Sequence, residues 1–190
     1  MKSLILASAS PRRAELLKQI GIGFETKAVD IDETPHFGEA PNDYVIRLAI
    51  AKAKAAKAFY PARETYALGS DTAVIINGEI LGKPNNKAHA LAMLRKLSGT
   101  THTVLTSVAL VGQHQVCVVS QSKLTFAEIT EHELEWYWAT GESLGKAGAY
   151  AIQGKAAMFI SRLEGSYSGV MGLPLYETAQ LLKEHGFVIS

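Results

Sequence analysis

The densest group of anion-binding side chains lies near the start of the chain, in the segment Ser8-Ala9-Ser10-Pro11-Arg12-Arg13. Residues 3–7 are short and apolar and predict a buried strand, whereas residues 14–20 have helical spacing. Ser10 is therefore expected to be the N-cap and Pro11 the first helical residue. A helix start binds anions through its unpaired N–H groups and its dipole, and two added arginines indicate phosphate. The alternative is a capped structural helix with two solvated arginines.

Two charged residues interrupt apolar patterns further along the chain. Lys52 falls at the centre of the apolar stripe of a predicted helix, residues 43–59, for which Asn42 is the expected N-cap. Asp71 interrupts a predicted strand, residues 66–76, where an unpaired carboxylate would be costly to bury. Lys52 either extends into a cleft or reaches water along its own stem. Asp71 either meets cations or bonds its own backbone in a local turn.

Lys83 and Glu33 become candidates through their neighbours. Asn77-Gly78 predicts a two-residue hairpin turn, and strict pairing across it sets Lys83 on the opposite face of the sheet from Asp71. Pro84 cannot donate to a ladder, so we expect pairing to fail there and Lys83 to turn toward the same pocket. Glu33 belongs to an acidic triplet, which by itself is typical of a solvated loop. Two carboxylates facing several cations form the arrangement that a magnesium-bound polyphosphate requires.

Length, composition and cysteine content restrict the class of protein. The 190 residues are 47% hydrophobic, which suffices for the core of a single domain, residues 1–190. Cys117 is the single cysteine and is interpreted as a small core residue, so disulfides are excluded and a reducing, cytoplasmic location is expected. Neither a membrane-spanning run nor a signal-peptide pattern is present. A net charge of +1 argues against a dedicated nucleic-acid binder.

Three familiar catalytic arrangements are excluded by the residues present. Residues 141–147 are one residue too short for a Walker loop and lack its Ser or Thr. Tyr167 stands where a hydrolase nucleophile elbow needs serine. The histidines never fall at zinc-ligand spacing. Metal-assisted hydrolysis is compatible with the candidates that remain.

The order of predicted elements mixes crossover connections with hairpins, which favours an α/β fold with a mixed, twisted sheet, flanking helices and a cleft between two lobes. Strands are expected at residues 3–7, 24–29, 66–76, 79–82, 103–111, 115–126 and 157–163. Helices are expected at residues 11–20, 43–59, 86–97, 131–138 and 175–185. Asn85 or Asn86 is expected to cap the third helix, and Thr130 opens the fourth with a capping box.

Motifs distributed over the whole chain resemble those of one known family. They are the Ser8–Arg13 segment, Glu33, Ala51-Lys52-Ala53, Gly69-Ser70-Asp71-Thr72, Gly82-Lys83-Pro84 and Tyr150-Ala151-Ile152-Gln153-Gly154. In this order they closely resemble the Maf family of nucleoside triphosphate pyrophosphatases. The resemblance implies a mixed-sheet fold with a deep cleft, shared with the inosine triphosphate pyrophosphatases. It also implies cleavage between the α and β phosphates, with a divalent metal that is Mg²⁺ or, alternatively, Mn²⁺.

The resemblance assigns roles to the residues at matching positions. Asp71 matches the proton acceptor, and Asp71 and Glu33 are the expected metal ligands; whether Asp71 is base, ligand or both stays open. Arg13, Thr72 and Gln153 match positions linked to base selection in the subgroup that acts on dTTP and UTP. The expected substrate-binding residues are Ser8, Ser10, Arg12, Arg13, Lys52 and Lys83.

Two other functions remain open. The family is historically associated with inhibition of septum formation, which leaves a nucleotide-binding regulator of cell division as one alternative. A pyrophosphatase with a different base preference, directed at purines, is the second. The expected partner is a small nucleoside triphosphate, with no nucleic acid and no membrane, and a homodimer is left open.

Overall fold

A seven-stranded mixed sheet runs through the computed structural model, which describes residues 2–189. Its strands are β1 (Ser3–Leu6), β2 (Glu25–Thr26), β3 (Thr65–Ile76), β4 (Glu79–Leu81), β5 (Thr101–Val111), β6 (Gln115–Phe126) and β7 (Ile160–Glu164). The spatial order is β2-β1-β3-β5-β6-β7, with β4 paired to β3. β1 runs parallel to β2 and β3, and the other pairings are antiparallel. The predicted α/β fold with a mixed sheet is confirmed.

Helices flank this sheet. Within residues 2–189 they are α1 (Pro11–Gln19), α2 (Pro41–Lys57), α3 (Lys87–Leu97), α4 (Glu131–Ala139), α5 (Tyr167–Met171) and α6 (Leu175–Glu184). The predicted caps of two of them are confirmed: Asn86 accepts a hydrogen bond from the His89 amide at the start of α3, and Thr130 and Glu133 form the capping box of α4. No helix in the described part of the chain is long and apolar enough to cross a membrane.

β3 contributes side chains to several apolar cores, two of which lie on either side of its polar middle. Leu68 belongs to the core beneath α1 and α6, whereas Val74 belongs to the core beneath α3 and α4. Between these two side chains lie Ser70, Asp71 and Thr72, so the middle of the strand carries polar groups where it leaves one core for the other. The predicted cleft between two lobes corresponds to this division.

The predicted caps of α1 and α2 are wrong in detail. Asn42 lies inside α2, because Pro41 takes the first helical position and leaves Ala40 in the N-cap position. Ser10 does occupy the N-cap position of α1, but its side chain makes no capping hydrogen bond. The first amide groups of α1 therefore have no side-chain cap, which matters for anion binding.

Two predicted strands differ from the structure. The strand expected at residues 24–29 is reduced to β2, because its partner β1 ends at Leu6, opposite Thr26. The strand expected at residues 157–163 begins only at β7, since Lys155–Phe159 forms a 3₁₀ turn that buries both Ala156 and Phe159. α5 forms where a loop was expected. Cys117 is half-buried and packs against a core of small apolar residues.

Candidate active site

A cleft of about 590 Å³ opens beside the middle of β3. It is lined by every candidate residue that the sequence suggested. The start of α1 contributes Ser8, Ser10, Arg12 and Arg13. The rest of the chain contributes Glu33, Lys52, Asp71, Thr72, Lys83 and Gln153.

A chain of alternating charges occupies the centre of this cleft. Lys52 Nζ lies 2.6 Å from Asp71 Oδ1 and 2.6 Å from Glu33 Oε1, while Lys83 Nζ lies 3.1 Å from Glu33 Oε2. Lys52 is 9% exposed and Asp71 is 6% exposed, so their pair is buried. The pairing of β3 with β4 ends at Val74 and Leu81, and Lys83 turns into the cleft two residues later. Lys52 therefore extends into the cleft and does not snorkel to water.

The two carboxylates have pKa values that are shifted in opposite directions. Burial raises the pKa of Asp71, although Lys52 and Arg13 oppose that shift. Burial also acts to raise the pKa of Glu33, but hydrogen bonds and charge from Lys52 and Lys83 outweigh it and leave that pKa lowered. Paired groups with divergent pKa values are suited to different tasks. Asp71 is the better proton acceptor of the two, and Glu33 is the more persistent anion.

Arg13 connects α1 to two other segments of the cleft. Its Nε donates a hydrogen bond of 2.8 Å to the carbonyl oxygen of Gly172, which also accepts 2.9 Å from Ser70 Oγ. Arg13 Nη2 lies 3.4 Å from Thr72 Oγ1, and the Thr72 hydroxyl lies 3.0 Å from that of Thr106. Burial lowers the pKa of Arg13, while the charge of Asp71 opposes this. A fixed guanidinium therefore joins the start of α1 to Thr72.

The start of α1 is open to an anion. Ser8 Oγ accepts a hydrogen bond of 3.1 Å from the amide of Ser10, so it orders the turn that precedes the helix. Within residues 2–189, the Arg12 side chain forms no ion pair and no hydrogen bond. Free amides, the helix dipole and an unpaired guanidinium thus point toward the same space, which suits a phosphate group.

The carboxylate pair can hold a divalent cation together with a substrate. The described residues contain no group of three or more His, Cys, Asp or Glu side chains that could hold a metal ion. Glu33 and Asp71 supply two carboxylates, and Asp71 Oδ2 makes no hydrogen bond within the described residues. Mg²⁺ is commonly held by one or two carboxylates, substrate phosphates and waters. The donor set fits an ion that arrives with a polyphosphate.

Residues 3–185 match the family described as Maf-like protein. The chain belongs to the Maf family. It is 51% identical over 193 residues to the dTTP/UTP pyrophosphatase of Colwellia psychrerythraea, covering 100% of this chain and 91% of that protein. It is 50% identical over 183 residues to the dTTP/UTP pyrophosphatase of Myxococcus xanthus, covering 96% and 92%. The Ham1 protein of Staphylococcus aureus matches with a TM-score of 0.48 and 17% identity, over 67% of this chain and 73% of that one.

Tyr44 is a cleft residue of this Maf chain that the sequence pattern did not single out. Its hydroxyl donates a hydrogen bond of 3.0 Å to the backbone carbonyl of Glu33. Burial, followed by the charges of Asp71 and Glu33, raises the pKa of Tyr44 to about 12, so it remains a donor. Tyr44 precedes Lys52 by eight positions and shares its helix face, which is the signal that could have found it.

The part of the Maf cleft that is lined by residues 150–153, Val170 and Met171 is less polar. Gln153 is exposed there, with no hydrogen bond to another described residue. Beneath it, the Tyr150 hydroxyl lies 2.8 Å from Nε2 of His102, a buried ring whose pKa burial lowers to about 4. The Tyr150 ring is therefore fixed by a neutral imidazole. An apolar wall with one free amide is suited to a nucleobase.

Proposed function

We propose that this Maf protein hydrolyses nucleoside triphosphates, with dTTP and UTP preferred, to the monophosphate and pyrophosphate. The observation that carries the proposal is the buried Asp71–Lys52 pair, extended by the half-buried Glu33, which shares one cleft with a cationic helix start. Relatives that are 50–51% identical over nearly the whole chain are named dTTP/UTP pyrophosphatases, which supports the substrate class.

The proposed roles follow the charge distribution. Attack at the α phosphorus builds negative charge on nonbridging and leaving oxygens, and preorganised cations in a cleft stabilise that charge. Arg12, Arg13 and Lys83 are placed to supply them, with Ser8 and Ser10 at the open end of α1. Glu33 and Asp71 would hold a divalent ion, for which Mg²⁺ is the first choice. When bound, such an ion supplies Lewis-acid neutralisation of phosphate charge.

Asp71 is the proposed proton acceptor for the attacking water. Its Oδ1 is held by Lys52 at 2.6 Å, which leaves Oδ2 to take the proton. The raised pKa brings Asp71 closer to the operating pH, as general-base catalysis favours. The ammonium of Lys52 opposes the rise in the pKa of Asp71 and so favours the ionised carboxylate, the form that can accept a proton.

We assign recognition of the nucleobase to the less polar part of the cleft lining, around Gln153. Gln153 carries both an amide donor and a carbonyl acceptor, which are the groups needed to read the O4 and N3–H edge of thymine or uracil. Thr72 is fixed from behind by Arg13 and Thr106. Because Thr72 lines the cleft, we propose that it limits the position that the nucleobase can take there.

A nucleotide panel tests the proposal. Purified protein with Mg²⁺ should release one pyrophosphate for each monophosphate, and kcat/KM for dTTP and UTP should exceed that for purine triphosphates. The expected margin is about tenfold or more, because one unpaired buried polar group costs roughly 1–3 kcal/mol. Release of inorganic phosphate would refute the reaction, and equal use of all bases would refute the preference.

Asp71→Asn separates catalysis from binding. The amide cannot accept the proton, so kcat should fall by about a hundredfold or more while nucleotide binding persists. Asp43→Asn, at the exposed start of α2, is the matched control and should retain activity. Full turnover by Asp71→Asn would remove this residue from the proposed role.

We also propose that residues 1–190 act as one cytoplasmic catalytic domain. The continuous sheet supports the first part, and the single cysteine supports a reducing compartment. A homodimer stays a prediction.

A further inference from the structure

Lys146 is a cleft residue to which neither the motifs nor the proposed reaction gives a role. It is half-buried, it lines the cleft, and its Nζ donates one hydrogen bond, of 3.2 Å, to the carbonyl of Leu144. No carboxylate in the described part of the chain forms an ion pair with it. The ammonium therefore has two donors that remain available to a ligand in the cleft.

The segment that carries Lys146 is held firmly against the cleft. The Lys146 carbonyl accepts a hydrogen bond of 3.0 Å from Ala149, and the Gly148 amide donates 3.1 Å to the carbonyl of Gly82, beside Lys83. Gly148 has a φ of 66° and packs so closely that a Cβ there would lie 3.0 Å from Val74. Lys146 is therefore presented by a fixed backbone.

The cations of the cleft fall into two groups. Lys52 and Lys83 are both neutralised by carboxylates. Arg12 and Lys146 line the same cleft, and neither forms an ion pair with a carboxylate in the described part of the chain. Glu15 acts on Arg12, and Glu142 on Lys146, only from beyond ion-pair distance. Burial, and then the charge of Arg12, lowers the pKa of Lys146, and Glu142 opposes this shift.

The cleft cations without a direct carboxylate partner among the described residues are therefore Arg12 and Arg13, at the start of α1, and Lys146. The Arg13 guanidinium is already hydrogen-bonded to Gly172 and Thr72, which leaves Arg12 and Lys146 to meet a ligand.

We infer that Lys146 and Arg12 together bind the β and γ phosphates, so that Lys146 is a binding residue for the departing pyrophosphate. The inference rests on the proposed function and extends it. The α phosphorus must lie near Asp71, where the cations are already neutralised. The more highly charged end of the triphosphate, which leaves as pyrophosphate, is then matched by the unpaired cations.

Product inhibition tests this inference. In dTTP hydrolysis at fixed ionic strength, Lys146→Gln should raise the inhibition constant of pyrophosphate about tenfold, since a charge-assisted hydrogen bond contributes roughly 1.5–3 kcal/mol. The inhibition constant of dTMP should stay within about twofold, and Lys146→Arg should restore most of the pyrophosphate affinity. Lys123→Gln, on the exposed face of β6, is the control.

Each other outcome has a distinct meaning. An unchanged pyrophosphate constant in Lys146→Gln, an equal rise for both products, or a rise for dTMP alone would overturn the inference while leaving the reaction intact. Calorimetric titration with magnesium pyrophosphate needs no turnover. It therefore tests the role of Lys146 independently of the hydrolysis assay. A different hydrolysis product would refute the proposed function but not the binding of pyrophosphate by Lys146.

Discussion

At the scale of single residues, Lys52 connects the two carboxylates and acts on the pKa of each against the effect of burial. Its ammonium is shared between Asp71 and Glu33, and it is almost fully removed from solvent. Both Lys52 and Asp71 could be selected from the sequence, because each breaks an apolar pattern. Tyr44 was signalled only by its place on the helix face of Lys52. Lys146 could not be selected, since a lysine in a loop is ordinary until the fold places it beside the cleft.

Replacing Lys52 with methionine should change the pH dependence of turnover. Without the ammonium, burial and Glu33 act on Asp71 with less opposition, so the pKa of Asp71 rises further. The base is then ionised only at higher pH, and the acid limb of the kcat profile should move upward. Because the buried carboxylate of Asp71 loses its ion-pair partner, the free energy of unfolding should also fall by roughly 3–5 kcal/mol.

Lys54→Met is the matched control for this experiment. Lys54 lies on the same helix, two positions further on, but it is exposed. It should leave both the pH profile and the unfolding transition unchanged. An acid limb that stays in place in Lys52→Met would show that Lys52 does not control the proton acceptor.

At the scale of elements, the close approach of α2 to β3 brings Lys52 and Asp71 within ion-pair distance. Gly69 allows the contact, since a Cβ on it would lie 2.1 Å from the Ala49 carbonyl oxygen and 2.7 Å from the Ala53 nitrogen. α2 therefore rests directly on the strand. Lys52, next to Ala53, then meets Asp71, two positions after Gly69.

Gly69→Ala should force these two elements apart. The added methyl meets backbone atoms, which cannot move aside as a flexible side chain would, so we expect a loss of about 3 kcal/mol or more of unfolding free energy. Nucleotide turnover should fall with it, because Lys52 no longer reaches Asp71. Gly23→Ala is the control, as a Cβ there meets nothing within 4 Å. Equal melting temperatures for the two variants would contradict this account.

Element prediction succeeded where the local pattern is long and failed where tertiary contacts decide. β3, β5 and β6 are long strands, and the hairpin turn between β3 and β4 is specified locally by Asn77 and Gly78, both with positive φ. β2 is limited by its short partner β1, which a sequence pattern does not report. α5 has only five residues and includes Ser168 and Gly169, so its helix depends on packing and its Ser166 cap.

At the scale of the whole molecule, the apolar core beneath α3 and α4 packs against a buried histidine. His102 is 2% exposed, packs edge-on against Phe126 and Tyr150, and has a pKa that burial lowers from 6.5 to about 4. The unfolded chain binds a proton at this residue more readily than the folded protein does. Stability from His102 is therefore complete above pH 6.5 and is lost as the pH falls toward about 4.

Denaturant unfolding between pH 7 and pH 4 should show this loss. The contribution of His102 is about 3 kcal/mol at most, from the size of the shift. His102→Gln should have lower stability at pH 7 but a flatter pH dependence, whereas His114→Gln, at an exposed turn, should follow the wild-type curve. A wild-type slope retained in His102→Gln would assign the acid sensitivity to other groups.

The central claim is that the protein directs water to the α phosphorus of a pyrimidine nucleoside triphosphate. Hydrolysis of dTTP in ¹⁸O-labelled water, with mass spectrometry of both products, tests it most directly. The position of Asp71 in the cleft predicts one ¹⁸O atom in the monophosphate and none in the pyrophosphate. Label in the pyrophosphate, or in inorganic phosphate, would contradict the claim.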